Sequence, residues 1–174
     1  MEPMGTLSFE RAYDLFREMA EAGAKAGADL IVVETMTDLY DAKAALLAAK
    51  EAAHLPVFVT MSFDAGGRTF TGCTVASMAR TLEGLGADAI GLNGSLGPDL
   101  LAPLLKELCE NTRLPVIAKP NAGLPDPVDG HYDMGPEDFA CISQKIPASY
   151  MCIGAGIEDV AKRYVEHNPK VRFH

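Results

Sequence analysis

The side chains with the clearest potential for chemistry follow the ends of predicted apolar strands. Glu34 comes directly after the apolar run 30–33, and Asn93 and Ser95 lie in a turn rich in Gly and Ser after the run 87–92. In α/β folds the loops at the carboxyl ends of the strands are the usual place for ligands. These three residues are therefore candidates for contact with a ligand.

Glu34 needs a partner wherever the end of its strand is buried, because an unpaired charge in an apolar environment is costly. An amine on a ligand is one such partner, and Arg68, Lys119 or backbone amides are the alternatives. Asp64, Lys119 and Asn121 lie at the ends of other predicted strands and are expected to face the same opening.

The four cysteines, Cys73, Cys109, Cys141 and Cys152, are far apart and form no CxxC pair. This spacing favours reduced thiols over a disulfide framework. Cys109 and Cys141 are expected to lie on helices with their side chains packed in the core. Cys152 is more easily explained as a small buried residue than as a metal ligand.

The elements that must position these side chains alternate between helix and strand, with a repeat of about 30 residues. Helices are predicted at 8–26, 38–53, 75–85, 98–111, 136–145 and 157–166, and strands at 29–34, 55–61, 87–92, 114–119 and 149–153. This alternation predicts right-handed βαβ units and a parallel sheet in one α/β domain, 1–174. Five strands fit part of a (β/α)8 barrel or an open, doubly wound parallel sheet, and the repeat does not choose between them.

Composition excludes some partners. The formal net charge of −9 argues against nucleic acid and against an anionic membrane surface, which both require a basic face. No apolar run approaches the ~20 residues of a membrane span. The first residues lack the basic start and apolar stretch of a secretory signal, so a cytoplasmic location is expected.

A series of strand-end segments resembles the homocysteine S-methyltransferase family, whose barrel occurs in cobalamin-dependent methionine synthase and betaine–homocysteine methyltransferase. Each segment alone is weak, but their order and spacing together are specific. The segments are 2–5, 29–36, 61–64, 66–72, 91–98, 119–125 and 132–139. The resemblance implies that the chain corresponds to strands four to eight of a (β/α)8 barrel. It also implies methyl transfer to the thiol of homocysteine, which makes methionine.

The resemblance also implies a zinc site, in which three cysteines bind the metal and homocysteine sulfur becomes the fourth ligand. Gly94 stands where the family has its first cysteine, and Cys152-Ile153 stands where it has an adjacent pair. One remaining thiolate, Cys152, is not expected to hold zinc tightly. Rescue by Cys73 and His131 is the less favoured alternative.

Other implied roles concern the substrate and partners. The resemblance assigns Glu34 to the substrate ammonium and Asn93 and Ser95 to substrate contact, although a structural role for Asn93 is the stronger alternative. It assigns no catalytic side chain here, and the methyl donor would be a corrinoid, a folate or a betaine-like compound. A partial barrel exposes sheet edges, so a homo-oligomer or a second polypeptide is expected. The alternative function is a non-catalytic module for amino-acid binding or assembly.

Overall fold

The computed structural model describes residues 1–121. These form four helices and four strands in strict alternation: α1 (Phe9–Lys25), β1 (Ile31–Met36), α2 (Leu39–Ala53), β2 (Val57–Met61), α3 (Val75–Gly84), β3 (Ala89–Asn93), α4 (Pro98–Asn111) and β4 (Val116–Lys119). The helix bounds agree with the sequence prediction to within one residue. The predicted elements from 136 onward, including the strand that contains Cys152, lie outside the described residues. No helix within 1–121 is long and apolar enough to cross a membrane.

The helices begin where the sequence places capping residues. The side chains of Ser8, Asp38 and Thr74 each accept a hydrogen bond from a backbone amide in the first turn of α1, α2 and α3. These bonds satisfy amides that have no partner inside the helix. Pro98 occupies the first turn of α4, where its missing N–H costs nothing.

The four strands are parallel and lie in the order β1-β2-β3-β4. Right-handed connections that always advance in one direction place their helices on one face of the sheet. A doubly wound sheet instead reverses direction and carries helices on both faces. The described part is therefore a segment of a (β/α) barrel, as expected from the family resemblance, and not a doubly wound sheet.

The core lies between this sheet and its helices. Alternate side chains of the strands, among them Val33, Val59, Ile90 and Leu92, pack against buried residues of α2, α3 and α4. Helix α2 contributes mainly alanines to its buried surface, which permits close approach of both α1 and the sheet. The other face of the sheet, here called the inner face, carries Val32, Phe58, Ala89 and Ile117 according to the strand registers.

Strand β1 differs from its prediction on this inner face. Its apolar run predicts a strand covered on both sides, yet Val32 is 50% exposed within the described residues.

The neighbouring strands β3 and β4 approach each other unusually closely at Gly91. A Cβ at this position would lie 2.2 Å from the backbone oxygen of Ile117, so only glycine fits there.

Candidate functional site

The end of strand β1 contains a bulge at Glu34 and Thr35. The register runs from Val33 opposite Val59 to Met36 opposite Met61, so β1 uses one more residue than β2 over this stretch. Thr35 has a φ of 61°, which is rare for a β-branched residue. A bulge redirects the side chains around it, and here it extends the strand two residues beyond the predicted end.

Asn93, at the end of β3, holds this bulge in place. Its Oδ1 accepts a hydrogen bond from the Thr35 backbone N–H at 3.1 Å, and its Nδ2 donates one to Thr35 Oγ1 at 2.6 Å. The Ser62 hydroxyl, just after β2, donates to the Asn93 backbone oxygen at 2.7 Å. Asn93 is only 6% exposed. The structural alternative for Asn93 is therefore what the geometry shows, and its contact with substrate stays a prediction.

Glu34 forms an ion pair with Lys119 at the end of β4. Val33 and Ala118 face the helices, so Glu34 and Lys119 project from the inner face and meet over it. The pair joins the first and last described strands. Both side chains remain accessible, with Glu34 40% and Lys119 58% exposed. Of the two cationic side chains considered for Glu34 from the sequence, Lys119 is its partner in this structure, and the amine of a ligand stays a prediction.

The inner face is divided by polarity. Toward the amino ends of the strands its side chains are apolar, and toward the carboxyl ends they are polar. The apolar group comprises Val32, Phe58, Ala89 and Ile117, and the polar group comprises Glu34, Thr60, Asn93 and Lys119. Such an arrangement suits a small molecule with a charged head and an apolar body.

The turn after β3 brings Gly94 and Ser95 next to this polar group. Both residues have a left-handed backbone, with φ of 65° and 62°. The Gly94 N–H donates to the Lys119 backbone oxygen at 3.0 Å, which ties the turn to β4. Ser95 is exposed. A Cβ at Gly94 would lie 3.4 Å from Ser62 Oγ, an ordinary contact, so a side chain at this position has room.

The predicted strand-end residue Asp64, and Arg68, which the sequence offers as a partner for Glu34, both make their hydrogen bonds within one loop. Asp64 Oδ1 accepts hydrogen bonds from the backbone amides of Gly66 and Arg68 at 2.9 and 3.0 Å. The Arg68 guanidinium donates to the Gly72 backbone oxygen at 2.9 Å. This loop is therefore braced by its own polar groups, and Arg68 is not the partner of Glu34.

The described residues do not fit a zinc site. Within 1–121 no group of three or more His, Cys, Asp or Glu side chains could hold a metal ion. The Cys73 thiol donates to the Thr74 backbone oxygen at 3.2 Å, and burial raises the pKa of this thiol, which disfavours the thiolate that a metal needs. Burial also raises the pKa of Cys109 on α4. The remaining predicted ligands, His131 and Cys152, lie outside the described residues.

Sequence reasoning missed Thr35 and Ser62. A β-branched residue gives no signal for a left-handed backbone, because its own preference opposes that conformation. Ser62 is not part of a recognisable catalytic spacing, and its role becomes visible only when β2 and β3 are placed side by side.

The amino-acid sequence of this chain is similar to those of two methionine synthases. The methionine synthase of Mycobacterium leprae is 33% identical over 144 residues, which is 79% of this chain and 12% of that protein. The methionine synthase of Mycobacterium tuberculosis is 35% identical over 127 residues, or 70% of this chain and 11% of that protein. The chain thus spans about an eighth of the length of these relatives.

Among solved structures, the apo form of the homocysteine methyltransferase MmuM from Escherichia coli superposes with a TM-score of 0.61. The identity is 23%, and the match covers 68% of this chain and 46% of MmuM, so it supports the fold. The sequence profile of the family described as homocysteine S-methyltransferase matches residues 1–163. The chain belongs to the homocysteine S-methyltransferase family.

Proposed function

We propose that this chain binds the amino-acid thiol that accepts the methyl group in methionine synthesis, with homocysteine as its ligand. The observation that carries the proposal is the polar end of the inner face, where a bulge fixed by Asn93 presents Glu34. A carboxylate at a strand's carboxyl end is a suitable partner for the ammonium of an amino acid. The methyl donor would be a corrinoid or folate compound bound elsewhere.

We further propose that the chain does not hold zinc tightly and does not turn over by itself. A homocysteine thiol is mostly protonated at neutral pH, since a free thiol has a pKa of ~8.5. Zinc would supply the thiolate, but it requires several strong ligands from the protein. Gly94 provides none and Ile153 provides none, which leaves Cys152 as the remaining member of the predicted ligand set.

The proposal is tested by restoring the ligands. We expect the double variant Gly94→Cys, Ile153→Cys to bind about one zinc per chain, and the unmodified chain to bind far less, as measured by metal analysis after dialysis. The cost of a non-glycine residue at a φ of 65° is of order 1–2 kcal/mol, which a folded domain can tolerate.

Two controls make this result interpretable. Adding Cys152→Ser to the double variant should abolish the gained zinc, because one of three ligands is lost. The circular dichroism spectrum should stay unchanged in all variants, which excludes unfolding as the cause. Tight stoichiometric zinc in the unmodified chain would contradict the proposal.

A second candidate is a non-catalytic assembly module, favoured by apolar exposure along β1 and α1. Leu30, Val32 and Met19 are large and exposed within the described residues. Exposed apolar surface beside a strand edge that has no partner within residues 1–121 favours association with a second polypeptide, most simply a second copy of the chain. Light scattering should then report a dimer or larger species, whereas a strict monomer at high concentration would eliminate this candidate.

A further inference from the structure

The ion pair between Glu34 and Lys119 points to a role for the lysine as well as for the glutamate. We propose that Lys119 determines ligand specificity, by binding the carboxylate of the same amino acid whose ammonium binds Glu34. The inference rests on the proposed function, because it concerns the same site, and it adds the zwitterionic head group as the feature that is recognised.

The geometry fixes the backbone of both residues while leaving their side chains accessible. Glu34 lies in the bulge that Asn93 holds through Thr35. Lys119 lies opposite Asn93 in the parallel register, and its backbone oxygen accepts the Gly94 N–H. Both charged groups therefore start from positions tied to the end of β3, and each can reach solvent.

The two charges are complementary to a zwitterion. In the absence of ligand each neutralises the other, and an exposed ion pair of this kind contributes little to stability, so it opens readily. A ligand with both an ammonium and a carboxylate replaces the pair with two new charge-assisted hydrogen bonds. A ligand with only one of these groups breaks the pair and leaves one protein charge without a partner.

This difference gives the lysine a second effect. Lys119 competes with any simple amine for Glu34, so it lowers the affinity for ligands that lack a carboxylate. Discrimination therefore comes partly from the penalty on the wrong ligand and partly from the contact with the right one. A merely structural pair, which only fastens β1 to β4, would produce no such preference.

The test compares four probes by isothermal titration calorimetry with the full chain. Homocysteine carries both head-group charges and a thiol, 3-aminopropane-1-thiol lacks the carboxylate, 4-mercaptobutanoate lacks the ammonium, and 2-aminobutyrate lacks the thiol. The variants are Lys119→Met and Glu34→Gln. Lys106→Met provides the matched control, since Lys106 is an exposed lysine on α4 whose partner is Glu110.

We expect the unmodified chain and Lys106→Met to bind homocysteine at least roughly tenfold more tightly than either thiol with a single charge. Lys119→Met should weaken homocysteine by about the same factor while strengthening 3-aminopropane-1-thiol, because Glu34 is released. Glu34→Gln should weaken homocysteine and strengthen 4-mercaptobutanoate. Thermal unfolding of each variant separates these effects from a loss of fold.

The outcomes distinguish this inference from the proposed function. If all three thiols bind equally, or if Lys119→Met leaves their ranking unchanged, the inference fails and the thiol-binding function stands. If 2-aminobutyrate binds as tightly as homocysteine and depends on Lys119, head-group recognition stands and the thiol function fails. Absence of binding by all four probes overturns both.

Discussion

Asn93 connects three strands through its side chain and backbone, and this makes it the most informative residue to change. We expect Asn93→Ala to lower the free energy of unfolding by about 1–3 kcal/mol, because the two hydrogen bonds between the Asn93 side chain and Thr35 are lost, each worth about 0.5–1.5 kcal/mol. The bulge should relax, and homocysteine binding should weaken because Glu34 is no longer aimed at the inner face. Urea unfolding and calorimetry measure the two effects.

Asn111→Ala is a suitable control for this change. Asn111 at the end of α4 also uses its amide, to donate to the Glu107 backbone oxygen, but it is far from Glu34 in the fold. Its replacement should affect stability modestly and homocysteine binding not at all. Equal binding by the Asn93 variant and the unmodified chain would show that the bulge does not position Glu34.

Gly91 yields a prediction about packing. We expect Gly91→Ala to destabilise the fold by about 3 kcal/mol, since the added Cβ would overlap the Ile117 backbone oxygen. This value is the upper end of the range that is typical of overpacked cores. Gly23→Ala is the control, because a Cβ at Gly23 in α1 meets nothing within 4 Å. That substitution should stabilise by about 0.5–1 kcal/mol. Urea unfolding that ranks the two variants in the opposite order would refute the close approach of β3 and β4.

At single positions the sequence predicts which residues could do chemistry better than it predicts which residues those side chains contact. The location of Asn93 at the end of β3, and of Glu34 two residues before the end of β1, followed closely from the apolar runs before them. The partner of Glu34 did not follow, because Arg68 and Lys119 were equally plausible until the strands were placed side by side. The loop that contains Asp64 closes on itself through Gly66 and Arg68, and local polarity alone gives no sign of this.

Asp88, immediately before β3, joins two other elements. Its Oδ2 accepts hydrogen bonds from the Val57 N–H of β2 at 2.7 Å and from Lys50 of α2 at 3.0 Å. The Val57 amide, followed by Lys50, lowers the pKa of Asp88 below its usual value of 3.8. A carboxyl group with a lowered pKa stabilises the fold above its unfolded-state pKa, and this contribution is lost as the pH falls through the folded-state pKa.

The lowered pKa of Asp88 predicts how the stability of a variant at this position depends on pH. Asp88→Asn should be less stable than the unmodified chain at pH 7, and the difference should shrink below about pH 4 and vanish once the carboxyl is protonated. Urea unfolding between pH 7 and the acid limit measures it, with Asp29→Asn at an exposed aspartate as the control for net charge. A difference that does not change with pH would contradict the ionic role of Asp88.

Helices were more predictable than strands. The bounds of α2 and α4 follow from local signals, namely Asp38 as a cap and Pro98 in the first turn. The end of β1 depends instead on Asn93, which lies 58 residues away from Thr35. No local pattern predicts a bulge that a distant side chain stabilises.

The arrangement of the whole sheet could not be derived from the repeat. Alternating helices and strands occur in barrels and in doubly wound sheets alike, because both consist of the same βαβ unit. The direction in which successive strands are added separates the two, and the order β1-β2-β3-β4 gives the barrel type. Only the family resemblance, carried by strand-end segments across the chain, indicated that choice in advance.

The same order explains why the candidate site faces away from the helices. With the helices on one face, the other face is free to gather polar side chains from successive strand ends. Glu34 from β1, Asn93 from β3 and Lys119 from β4 meet there. The site thus results from the order of the strands and not from any single motif.

The most direct test of this account is a calorimetric titration of the unmodified chain with homocysteine, performed once with a metal chelator and once with added zinc. We predict saturable binding of equal affinity in both, since the proposed site holds the head group through protein charges and the proposed function includes no tightly bound zinc. Binding that disappears with the chelator and returns with one zinc per chain would contradict the account.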